Sequence, residues 1–141
     1  MLPSGKLYTS NLNGLKKINF EAKKLMITRA EMAIEDVAMC QALAPSQELF
    51  QFSLDGRKED ADFAWWPKYE ERFVAELQFD RKLEALRQVY RMLLEGSHVV
   101  LVCFCHDHRY CHRRLVGEFF EPYGVKAEEL NPILIEQMKL F

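Results

Sequence analysis

The sequence predicts a three-layer α/β domain with a mainly parallel sheet flanked by helices, on three observations. The run Val99-Val100-Leu101-Val102-Cys103-Phe104 is apolar at odd and even positions alike. A strand buried on both faces belongs inside a parallel sheet covered by helices. Helical spacing brackets this run, with Leu83, Leu86, Tyr90, Leu93 and Leu94 before it and Leu115, Val116, Phe119 and Phe120 after it. Two short β-prone stretches lie upstream, and a helix–strand–helix order of this kind suits a Rossmann-like layer wound with one hand.

Taken in order, Lys6 to Ser10 reads as the first strand, stopped by the turn residues Asn11, Asn13 and Gly14. Lys24 to Thr28 is the second, followed at once by Arg29. Ala30 to Cys40 carries a loose helical pattern, in which Cys40 reads as a small buried residue. Pro45 stands where a helix begins, with Leu49, Phe50, Ser53 and Leu54 on one face. Asp55-Gly56-Arg57-Lys58-Glu59-Asp60 reads as a charged, mobile turn. A helix follows from Trp66-Pro67 through Phe73 to Leu77, in which Trp65 and Trp66 are core or interface anchors. The amphipathic helix over 83–94 ends at Gly96. Past Pro122-Tyr123-Gly124, Val125 to Leu130 reads as a short edge strand whose two acids discourage further pairing.

The 141 residues form one expected domain, with residues 131–141 an apolar extension that packs on the domain or meets a second copy in a homodimer. With 49% hydrophobic and 28% charged residues the chain has an ordinary globular composition, and no apolar run has the length of a membrane span. Met-Leu-Pro-Ser-Gly-Lys lacks the apolar core of a secretory signal, so a cytoplasmic chain is expected, its four cysteines thiols or metal ligands. A net charge of −2 argues against general avidity for nucleic acid, while leaving room for a local basic pocket.

The chemistry gathers between the apolar strand and the helix after it. Cys103, Cys105, His106, His108, Cys111 and His112 place six soft or borderline donors within ten residues, with Arg109 among them and Arg113 and Arg114 directly after. Strand C-termini in open α/β sheets are where ligands bind, and a helix N-terminus favours anions and thiolates. Cys111 falls at that N-terminus. Beside His112 and Arg113 it reads as a nucleophile, with His112 or His108 carrying the proton, or else as a small residue packed inward. Ser10, Asn11, Arg29, Arg109 and Arg113 are the expected contacts to an anionic small molecule or nucleotide. A metal site is the rival reading, with Cys105, His108 and Cys111 spaced three apart and zinc or iron as the ion. A binding module for nucleic acid or protein is the third. Cys103-x5-Arg109 has the spacing of a tyrosine-phosphatase loop, but Tyr110-Cys111-His112 separates the arginine from the helix and the loop has no glycine, so the match is coincidence.

The segment Val-Leu-Val-Cys-Phe-Cys-His-Asp-His-Arg-Tyr-Cys-His-Arg-Arg-Leu-Val-Gly-Glu resembles the signature of the domain of unknown function 488 family. The likeness extends to Leu7-Tyr8-Thr9-Ser10-Asn11, Met26-Ile27-Thr28-Arg29, Leu43-Ala44-Pro45-Ser46 and Tyr69-Glu70-Glu71-Arg72-Phe73. It implies a compact α/β domain and a site at Cys111, His112 and Arg113, joined by Ser10 and Arg29. It implies no established reaction.

Overall fold

The computed structural model describes residues 2–59 and 62–133. Five parallel strands form one sheet: β1 (Leu7–Asn11), β2 (Lys23–Met26), β3 (Val37–Met39), β4 (Val99–Cys103) and β5 (Glu128–Glu129), in the order β3-β2-β4-β1-β5. Helices α1 (Gln47–Glu59), α2 (Trp66–Glu76) and α3 (Asp80–Leu94) lie between β3 and β4, and α4 (His112–Phe119) lies between β4 and β5. Among the described residues no helix is long and apolar enough to cross a membrane.

The unbroken apolar run has the position its composition demands. β4 is the middle strand, and all five of its residues are buried. Leu7, Leu25, Val99, Leu101 and Cys103 face the larger core, built with Leu49, Phe73, Leu86, Leu93 and Val116 from the four helices. Met26, Val100 and Val102 face the other way, onto Leu15 in a 3-10 turn (Asn13–Lys17) and Ile34 in the loop after β2. The three layers are therefore unequal, with helices on one face and a thin cover of turn and loop on the other.

This division follows from handedness. The chain moves one way along the sheet from β1 to β2 to β3, over the thin face. It moves the other way from β3 to β4 and from β4 to β5, over the helical face. Right-handed crossovers require that pairing of direction with face. β2 and β4 are neighbours whose chains leave their C-termini toward opposite faces, and the gap between them is where such sheets open a crevice.

Two sequence expectations change. Ala30 to Cys40 is no helix: Asp36 turns the chain at φ 64°, and Val37–Met39 pairs with β2 as an edge strand. Residues 55–59 are no mobile turn but the last turns of α1. Gly56 is there for packing, since a Cβ on it would come within 2.5 Å of the Trp65 ring. The expected edge strand at 125–130 narrows to β5, paired with β1. Of the apolar extension 131–141, residues 134–141 lie outside the described residues.

Candidate functional site

At the C-terminal ends of β2 and β4 a cavity of about 680 Å³ opens between α1 and the loop leading to α4. Its lining includes Cys103, Cys105, Cys111 and His112 together with Arg29, Arg57, Tyr69 and Tyr110. Apolar wall comes from Phe50, Leu54 and Phe104. Among the described lining residues there are two arginines and no carboxylate.

The sulfurs and the imidazole meet because the chain reverses sharply after β4. Cys103 ends the strand on its helical face. Asp107 accepts a hydrogen bond from the Arg109 N–H at 3.0 Å and caps a 3-10 turn (His108–Tyr110) that returns the chain. Cys111 then sits at the N-terminal cap of α4, and His112 is its first residue. The two are 1% and 6% exposed. His112 Nε2 lies 2.6 Å from the Ile27 carbonyl, and a carbonyl only accepts, so Nε2 carries the proton. That leaves Nδ1 facing the Cys103 sulfur at 3.7 Å. Cys105 Sγ is 4.0 Å from Cys103 Sγ and 3.8 Å from Arg57 Nη2.

Charge is shared unequally within this group. Burial pushes the Cys111 thiol well up. Hydrogen bonding to Cys105 raises Cys103 to about 12. Cys105 is held far down because the thiols of Cys103 and Cys111 both donate to it, with His112 and Arg57 adding positive field. Burial opposes charge on the His112 ring, yet Cys111 and Cys105 beside it and the Ile27 carbonyl raise it above the ordinary histidine value. Burial also pushes the Tyr69 phenol up, so it stays neutral.

Of the residues expected from the sequence, the cavity gathers Cys111, His112, Cys105 and Arg29, the last donating from Nη1 to the Pro45 carbonyl at 3.1 Å. The others stand elsewhere. Arg113 is fully buried, and its Nε and Nη2 donate to the two carboxylate oxygens of Glu129 at 2.9 and 3.2 Å. Its Nη1 donates to the Cys105 carbonyl at 2.8 Å and lies 3.6 Å from Cys111 Sγ. Arg113 thus ties the loop to β5. Arg109 forks onto Asp107 through Nε and Nη2 at 3.0 and 2.8 Å. His108 lines a separate cavity of about 250 Å³ with Arg114, Glu118 and Glu129, so it is not brought beside Cys105 and Cys111. Ser10 donates to the Asn11 carbonyl, and Asn11 Oδ1 accepts from Gly14 N–H and Asn131 Nδ2, which shapes the end of β1.

Two cavity residues carry roles that the sequence reading did not give them, and Cys103, counted there among the donors but left out of the Cys105–His108–Cys111 set, joins the cluster through its sulfur. Tyr69 reads as a helix-face residue. Arg57 reads as a turn residue, although Phe50, Leu54 and Arg57 follow at spacings of four and three, one helical face once α1 runs through Gly56.

Comparison with curated proteins and with solved structures returns no match. Over residues 12–124 the chain matches the family model DUF488-N3a, described as the active DUF488-N3 subclade, and it belongs to the DUF488 family.

Proposed function

We propose that the cavity between β2 and β4 binds an anionic small molecule, a phosphate-bearing metabolite or nucleotide, and turns its reacting end toward the cluster of Cys103, Cys105, Cys111 and His112. One observation carries this reading: Arg29 and Arg57, from two different elements, line one opening together with these thiols and the imidazole, and no described lining residue is a carboxylate. That arrangement stands out in a chain of net charge −2. The anion is held by these two arginines rather than by Arg113 and Arg109, whose forks are engaged by Glu129 and Asp107.

The walls fit the rest of such a ligand. Phe50, Leu54 and Phe104 offer apolar surface, and Tyr69 and Tyr110 offer flat faces with polar tips. The volume lies within the usual range for small-molecule sites. The family's description as an active subclade agrees with a reaction at the cavity floor.

The test is a titration with inorganic phosphate and with adenosine monophosphate, followed by tryptophan fluorescence. Trp65 is a built-in reporter, because the Arg57 guanidinium lies 5.0 Å from its ring centroid. Arg29→Ala and Arg57→Ala should each weaken binding about tenfold to a hundredfold, the worth of a charge-assisted hydrogen bond at roughly 1.5–3 kcal/mol. Unchanged affinity in the double variant would remove the reading.

A further inference from the structure

At the floor of this cavity, two sulfurs and a ring nitrogen are gathered together. The ligand atoms of Cys103, Cys111 and His112 all lie within 4.8 Å of one another, and all three residues are buried. Thiols are weak donors and weak acceptors. Hydrogen bonding alone therefore gives little reason to bury two thiols against one another and against an imidazole.

A metal ion gives a better one. Zinc binds cysteine sulfur at about 2.3 Å and histidine nitrogen at about 2.0–2.1 Å in tetrahedral sites. Those lengths set sulfur–sulfur and sulfur–nitrogen separations of roughly 3.8 and 3.6 Å. The Cys103 sulfur stands 3.7 Å from His112 Nδ1. The ring is also oriented as a ligand: Nε2–H is committed to the Ile27 carbonyl, which turns Nδ1 toward the Cys103 sulfur. Metal-bound histidines are held by an outer hydrogen bond of this kind. Cys111 stands at the N-terminal cap of α4, and its sulfur lies 3.6 Å from Arg113 Nη1.

We propose that Cys103, Cys111 and His112 hold a soft divalent cation, zinc by the character of the ligands, with its fourth position opening to the cavity beside Cys105. The set differs from the one read in the sequence, because His108 belongs to a different cavity. All three ligands come from one ten-residue segment and close little of the fold. The ion therefore equips the site rather than holding the domain together. The inference does not depend on Arg29 and Arg57 holding an anion, and the two readings fail separately.

The experiment is metal analysis of the full chain, expressed in zinc-supplemented medium and purified without a metal resin, followed by exchange of the bound ion for cobalt. Wild type should carry close to one equivalent of zinc. Its cobalt form should show the intense ligand-field bands of a tetrahedral site and thiolate-to-cobalt charge transfer. Cys103→Ser and Cys111→Ser should fall below a tenth of an equivalent, while Cys40→Ser and His108→Ala keep full metal. If the buried variants fail to fold, the wild-type cobalt spectrum decides alone. Trace metal with no thiolate charge transfer overturns the proposal, and so does loss of metal in His108→Ala. Arg29→Ala should keep its zinc even where inorganic phosphate no longer binds, and loss of zinc there would also count against this ligand set.

Discussion

Removing the Glu129 carboxylate should destabilise the protein far more than its place on a two-residue edge strand suggests. Arg113 is a cation with no exposed surface, and Glu129 is its acidic partner, with a side chain 11% exposed. Glu129→Ala leaves Nε and Nη2 of a guanidinium with no exposed surface without their acceptors. It also strips the acceptor from the Thr9 hydroxyl, which donates to Oε1 at 2.8 Å, and from the Asn131 N–H, which donates to Oε2 at 3.0 Å. Breaking a buried ion pair from one side costs about 3–5 kcal/mol. For a chain of this length that is roughly 10 °C or more in Tm. Replacing both partners in Arg113→Met/Glu129→Leu removes the stranded charge, so the double variant should be more stable than Glu129→Ala. Urea unfolding followed by far-UV circular dichroism measures all three. A loss under about 1 kcal/mol in Glu129→Ala would mean that Arg113 is not a buried strut, and would return it to the candidates for gripping an anion.

Other outcomes test neighbouring parts of the account. Gly56→Ala should cost about 1–3 kcal/mol as the new methyl meets the Trp65 ring, and a neutral result would show that α1 and Trp65 do not touch as described. The Arg109 fork holds the Asp107 carboxyl below its ordinary range, chiefly by hydrogen bonding. The folded state therefore binds fewer protons than the unfolded one. The stability this gives is full above the ordinary aspartate value and is lost as pH falls through the lowered one. Asp107→Asn should flatten that acid limb in unfolding curves, and parallel limbs for the two proteins would contradict it. Lys82 donates to the carbonyls of Ala42 and Ala44 at 3.1 and 2.7 Å, pinning the segment before α1. Lys82→Met should cost about 1–3 kcal/mol by taking the donor from both carbonyls, that of Ala44 buried, read by the same unfolding assay.

Much of the fold was legible because burial writes directly into the sequence. β4 faces a core on both sides, so it shows an uninterrupted apolar run. α3 faces a core on one side, so it shows period. The misread segments depend on contacts between distant residues. Gly56 looks like a turn signal until Trp65 is seen lying on it. Val37–Met39 is too short and too exposed to carry a pattern. At the candidate site, residue type singled out the ten-residue segment whose sulfurs and imidazole line the cavity, and could not sort its members. His108 and His112 are four residues apart, yet a 3-10 turn sends them to different cavities. Arg113 looks like an anion contact until Glu129, sixteen residues on, is found holding it. Arg57 went unnoticed because its helix was expected to have ended.

The most direct test of the central claim is a crystal structure of the protein soaked in phosphate. The account places the anion inside the cavity, in contact with the guanidinium groups of Arg29 and Arg57 and facing the sulfurs of the cluster. An anion seated instead on Arg113 or Arg109, or no bound phosphate in a crystal whose cavity is open to solvent, would contradict it.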